Sequence, residues 1–134
     1  MNYPKKSLGQ NFLIDKNIIS KILNLVSIKD RDIIEIGPGH GALTEEILKR
    51  NPNSLCVIEK DIFLSKKLKM KYKSNKKIKI FNKDVLSFPL EKELLQNSVV
   101  IGNLPYNISS QILVKILRFK KWPPKFSDII FIIL

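Results

Sequence analysis

"RDIIEIGPGHGALTEEILKR", residues 31 to 50, holds an apolar run, then glycines at 37, 39 and 41, then an amphipathic segment. Ile33, Ile34 and Ile36 make a run of strand length, and the glycines punctuate its end. "ALTEEILKR" then continues as a helix from that turn. A strand that passes through a glycine turn into a helix is half of a βαβ unit. Its turn lets backbone approach a nucleotide-like ligand closely and lends it the N–H groups of the helix start.

The same scheme extends in both directions. Upstream, "IDKNIISKILNLV" has Asp15 as an N-cap and Ile18, Ile19, Ile22, Leu23 and Val26 on one helical face. Downstream, "SLCVIEKD" offers a strand through Leu55, Val57 and Ile58, acidic residues at its C-terminal end, and a helix capped by Asp61. "KIKIFNKD" and "SVVIGN" read as further strands, "ISSQILVKILRF" as a helix following Tyr106, and "DIIFIIL" as a buried strand. This alternation argues for a mostly parallel sheet with helices on both faces, because parallel neighbours need right-handed crossovers. Ligands of such sheets bind outside the C-terminal strand ends, near the point where strand order reverses. Gly37 to Gly41, Glu59 and Asp61, Asp84, and Asn103 to Tyr106 all fall at those ends.

The chain has 134 residues, about one small domain. It stops inside an apolar run with no turn after it, so a domain truncated after the start of its fifth strand is expected. Lys+Arg 24 against Asp+Glu 12 gives a net charge of +12, which favours a polyanionic partner such as nucleic acid. Only Arg31, Arg50 and Arg118 are arginines, and an AT-rich genome would produce the same excess of Lys, Ile and Asn. "KKLKMKYKSNKKIK", residues 66 to 79, reads as a solvated helix face and turn ahead of a specific binding arm. The single Cys56 cannot pair within the chain and is expected in the core, with a reducing cytoplasm as the setting. No segment reaches the ~18 apolar residues of a membrane span, so a soluble cytosolic protein with no membrane partner is expected.

Several ligand classes fit the strand ends. Gly37, Gly39 and Ala42 match the dinucleotide fingerprint with its permitted terminal Ala, which admits an NAD-dependent oxidoreductase. Glu59 does not discriminate, since a carboxylate there accepts from ribose hydroxyls of either cofactor class. Asp84 is suited to an adenine amino group, although both carboxylates also fit plain helix caps or solvated turns. "NLPY" separates the readings. Asn103 carries an amide that both donates and accepts, the carbonyl before Pro105 is held extended, and Tyr106 can lie flat against a base. Together they form a clamp for a planar, amine-bearing ring. The plain alternative is a strand-to-helix turn with a buried Tyr.

"LGQNFL" (Leu8 to Leu13), "EIGPGHGALT" (Glu35 to Thr44), "IEKD" (Ile58 to Asp61), "KDVL" (Lys83 to Leu86) and "NLPYNISS" (Asn103 to Ser110) resemble, in order and spacing, the KsgA/RsmA-type small-subunit rRNA adenine dimethyltransferases. The resemblance covers essentially the whole chain. It implies a Rossmann-like class I S-adenosylmethionine-dependent methyltransferase fold, with residues 1–134 as an incomplete catalytic domain. Carried over by position, it implies S-adenosylmethionine contacts at Asn11, Leu13, Gly37, Glu59 on the ribose, Asp84 on the cofactor adenine, and Asn103. It further implies that Asn103, Leu104, Pro105 and Tyr106 handle the target base. Asn103 and the Leu104 or Pro105 carbonyl would localise the lone pair of the adenine N6 amine, with Tyr106 as stacking platform for a flipped base. No metal is implied, and the one His, His40, reads as a solvated turn residue.

The expected partner is small-subunit rRNA or a ribosomal particle in the cytoplasm, with a monomer as the full-length state. The erythromycin-resistance methylases of large-subunit rRNA are the alternative within the resemblance; they more often carry Ile where this chain has Leu104. Members also continue past the strand beginning at Asp128, usually with Gln-Lys-Glu, and add a helical C-terminal domain. Neither feature is in this sequence, so a truncated, non-catalytic RNA-binding remnant is a further alternative.

Overall fold

A computed structural model describes residues 15–133. The elements run α1 (Lys16–Leu23), β1 (Asp32–Ile36), α2 (Ala42–Lys49), β2 (Ser54–Ile58), α3 (Ile62–Lys71), β3 (Ile78–Phe81), α4 (Leu90–Glu93), β4 (Val99–Asn103), α5 (Tyr106–Leu117) and β5 (Asp128–Ile132). The five strands form one sheet in the order β3-β2-β1-β4-β5, with every neighbouring pair parallel. Strand order reverses between β1 and β4, which makes the C-terminal end of that pair the topological switch point.

Local chemistry sets the helix starts. Asp15 accepts from the Asn17 N–H at 2.8 Å, and Asp61 accepts from Phe63 and Leu64 at 2.8 and 3.0 Å, satisfying first-turn donors that have no intrahelical acceptor. On one face of the sheet Ile19 and Leu23 of α1, Leu43 and Ile47 of α2 and Leu68 of α3 close over Ile33, Leu55, Val57 and Ile101. On the other, Leu90 of α4 and Ile112 and Ile116 of α5 close over Ile34, Ile36, Ile58 and Val100. Each fully buried Ile or Leu contributes about 1.5–3 kcal/mol relative to exposure. These contacts, more than helix propensity, hold such short helices in place.

Two expectations need correction, and one element was not read at all. "DIIFIIL" was expected to be buried, yet all of β5 is half-buried, because it is the outermost strand and has β4 on one side only. Cys56 is half-buried against the α4/α5 side; burial pushes its thiol up to about 11, so it is unreactive at neutral pH. The connection between β3 and β4 contains α4, one turn of helix opened by Pro89 with no side-chain cap, too short to leave a periodic pattern. The lysines of α3 lie on a solvated face as expected, with only Ser65 and Leu68 of that helix buried. Among the described residues no helix is long and apolar enough to cross a membrane.

Candidate active site

Register aligns the strand ends. Ile36 pairs with Ile58 and with Gly102, and Ile58 pairs with Phe81, so the next residues, Gly37, Glu59, Asn82 and Asn103, stand in one row at the C-terminal edge. Adjacent strands lie about 4.8 Å apart, which places Gly37 beside both Asn103 and Glu59. The sheet pattern continues into the loops: Gly37 N–H donates to the Ile58 carbonyl at 2.9 Å, and Glu59 N–H to the Phe81 carbonyl at 2.9 Å.

Gly37, Gly39 and Gly41 all have positive φ, at 68°, 58° and 89°. A Cβ at Gly37 would sit 2.9 Å from Leu104 Cδ2 and 3.5 Å from the Asn103 carbonyl. The glycine turn is therefore packed directly on "NLPY", and only a residue without a side chain fits between them.

Glu59 is 7% exposed, and each of its carboxylate oxygens takes one backbone donor: Oε1 from Gly39 at 3.2 Å, Oε2 from Asp61 at 2.8 Å. Each oxygen keeps a lone pair for a further donor, which suits a vicinal diol. Asp84 follows β3. Its Oδ1 accepts from the Leu86 N–H at 3.0 Å, and Oδ2 lies 3.5 Å from the exposed Lys60 ammonium. The Leu86 hydrogen bond, then the Lys60 charge, hold its carboxyl below the usual range despite slight desolvation. Asp84 is thus an anion with one oxygen open to a solvent-side donor.

Beyond β4, Pro105 has φ −56° and ψ 149°, and α5 begins at the next residue. The Pro105 carbonyl accepts from Ile108 N–H at 3.0 Å, Ser109 N–H at 3.1 Å and Ser109 Oγ at 3.3 Å. It is occupied by the first turn of α5. Among the described residues no donor reaches the Leu104 carbonyl. Leu104 is 9% exposed, whereas Tyr106 is 71% exposed, which corrects the plain reading of a buried Tyr. His40 is exposed, as expected of a turn residue. Asn11 and Leu13 lie outside the described residues.

The strand ends also hold groups that sequence reading passed over. Glu35, on β1, is 1% exposed; Thr44 Oγ1 donates to its Oε1 at 2.6 Å, and Oε2 has no partner. Burial pushes its carboxyl up to about 7, the Thr44 bond opposes this, and the Glu59 charge adds to it. Its position two residues before Gly37 was visible, but not that β1 would bury it. Asn82 Nδ2 donates to the Glu59 and Lys60 carbonyls, both at 3.0 Å, and so fixes the turn that carries Glu59. Among the described residues no group of three or more His, Cys, Asp or Glu side chains is placed to hold a metal.

The donor set fits S-adenosylmethionine. Paired acceptors at Glu59 suit a ribose, Asp84 suits an exocyclic amine, the glycine turn admits close approach, and the carboxylates favour a cationic sulfonium. Residues 1–133 match a family model described as Ribosomal RNA adenine dimethylase. The chain is 49% identical over 111 residues to the Ribosomal RNA small subunit methyltransferase A of Pelagibacter ubique, covering 83% of this chain and 42% of that protein. Among solved structures, the 23S rRNA methyltransferase ErmE superposes with a TM-score of 0.68 at 29% identity, over 81% of this chain and 43% of that one. A dimethyladenosine transferase from Plasmodium falciparum superposes with a TM-score of 0.70 at 24% identity, over 87% of this chain and 42% of that one, a likeness of fold. The chain thus spans less than half the length of these relatives. The match over residues 1–133, and a parallel sheet whose strand ends gather the same motifs, establish that the chain belongs to the ribosomal RNA adenine dimethylase family.

Proposed function

We propose that residues 1–134 are the incomplete S-adenosylmethionine-binding catalytic domain of a cytoplasmic enzyme that dimethylates adenine N6 in small-subunit rRNA during ribosome biogenesis. The observation that carries this reading is the packing of Gly37 against Leu104, which sets the glycine turn directly beside "NLPY" at the switch point. The 49% identity to a small-subunit methyltransferase, against 29% to ErmE, supports small-subunit rRNA over the large-subunit alternative. Asn11, Leu13, Gly37, Glu59, Asp84 and Asn103 are assigned to the cofactor, and Asn103 to Tyr106 to the target base.

When bound, S-adenosylmethionine supplies an electrophilic methyl on a sulfonium. The chain's own residues supply the geometry. Adenine N6 is a weak nucleophile because its lone pair is delocalised into the ring. Accepting its two N–H bonds at the Asn103 amide oxygen and the Leu104 carbonyl turns that pair out of conjugation. The same acceptors support positive charge as it develops on nitrogen. Tyr106 offers its exposed ring as a stacking surface for a base taken out of its helix, worth about 1–3 kcal/mol. Positioning of this kind accounts for much of a barrier reduction with no strong base.

The test is methyl transfer by the full-length chain to small subunits lacking adenine dimethylation. Asn103→Ala is expected to abolish transfer and to cost cofactor affinity far less, as for a group that touches the cofactor but acts mainly on the transition state. Transfer to large subunits instead, or equal loss of binding and transfer in a folded Asn103→Ala, would refute the assignment.

A further inference from the structure

Lys115 lies in the last turn of α5, the helix that Tyr106 opens. Its ammonium donates to three main-chain carbonyls of one turn: Val85 at 3.1 Å, Leu86 at 2.9 Å, and Phe88. An ammonium has three donors, so all are committed to that turn. Half-burial lowers the Lys115 pKa, and the Asp84 charge opposes the fall.

The turn orients the Asp84 carboxylate. Leu86 N–H donates to Asp84 Oδ1 at 3.0 Å, and the Ser87 and Phe88 N–H groups donate to the Asp84 carbonyl at 3.1 and 3.0 Å. Its N–H groups thus converge on Asp84 while its carbonyls converge on Lys115. α5 begins where "NLPY" ends, so one side chain fastens the helix beyond the target-base segment to the turn that aims Asp84.

We infer that Lys115 is a positioning residue that fixes the Asp84 carboxylate relative to α5 and so sets the adenine-recognising end of the cofactor site. This rests on the assignment of Asp84 to the cofactor adenine. Without Lys115, the Leu86 carbonyl loses its one donor among the described residues, while the Val85 and Phe88 carbonyls keep only the N–H groups of Phe88 and Leu90, so the turn relaxes and Asp84 loses the orientation an exocyclic amine needs.

The test measures binding to the full-length chain of S-adenosylhomocysteine and of its inosine counterpart, which lacks the N6 amine. Lys115→Met is expected to weaken S-adenosylhomocysteine roughly tenfold and leave the inosine counterpart within about twofold. Asp84→Asn is expected to lose a similar factor, and the double variant little more than either alone, since both remove one contact. Multiplied losses in the double variant, or equal losses on both ligands, overturn the inference and leave Asp84 on the adenine. Unchanged affinity in Asp84→Asn removes the adenine assignment and the inference with it. If Lys115→Met does not fold, Lys115→Gln is measured with amide hydrogen exchange. Faster exchange confined to Leu86, Ser87 and Phe88 supports the inference, and unchanged exchange there overturns it.

Discussion

Replacing Gly37 by Ala puts a methyl where the structure has no room for one. At φ 68° an L-residue carries a left-handed penalty of about 1–2 kcal/mol. The new Cβ would also lie 2.9 Å from Leu104 Cδ2. Leu104 cannot swing away toward Gly102, because even a Cβ added there would be 3.0 Å from Leu104 Cδ1. With Leu104 9% exposed, relief must come from shifting "NLPY" itself, and overpacking of this kind costs about 1–3 kcal/mol. A total loss of about 2–5 kcal/mol is expected, read by urea unfolding at constant slope, together with lost S-adenosylhomocysteine affinity by calorimetry. In a Leu104→Ala background the packing part should vanish, leaving the conformational part of about 1–2 kcal/mol. A loss below about 1 kcal/mol, or one unchanged by Leu104→Ala, would show that the glycine turn is not gripped by "NLPY".

Glu35 predicts a pH dependence. Its carboxyl is raised in the folded chain from 4.5 to about 7, so its protonated form stabilises the fold at low pH, and that stability is lost as pH rises toward 7. Glu35→Gln removes the dependence: between pH 5 and 8 its unfolding free energy should gain about 2–3 kcal/mol on the parent, and parallel profiles would refute this. Tyr106→Ala should leave stability within about 0.5 kcal/mol and cofactor affinity unchanged, since the residue is 71% exposed. The same variant should lower kcat/KM on RNA by the equivalent of about 1–3 kcal/mol, and undiminished turnover would remove the stacking role. Arg31 donates to the Asn97 carbonyl at 2.8 Å, to Ser127 and to Asp128 at 3.3 Å, tying β1 to the start of β5. Arg31→Met should cost about 1–2 kcal/mol and expose the edge strand to self-pairing; unchanged unfolding and unchanged light scattering would refute that.

Most of the fold was legible because its determinants are local. Apolar spacing marks α1, α2 and α5, Asp15 and Asp61 cap their own helices two or three residues on, and Gly37, Gly39 and Gly41 all stand at positive φ. Alternation of strands and helices then implies a parallel sheet, and a parallel sheet puts its ligand edge at the strand ends. That sufficed to single out Gly37, Glu59, Asp84 and Asn103 to Tyr106. What escaped the sequence depends on partners far along the chain. The half-burial of β5 follows from its place in the strand order, and α4 is too short to show a period. Glu35 became a buried acid only when β1 was enclosed, and Lys115 was one lysine among many until α5 brought it to carbonyls 27 to 30 residues away. That the Pro105 carbonyl is taken up by Ile108 and Ser109 likewise follows from where the first turn of α5 finds its acceptor. Residue types and spacing determined which chemistry stands at the strand ends; only tertiary packing decided which of those atoms are already satisfied and which still have a lone pair or a proton to offer.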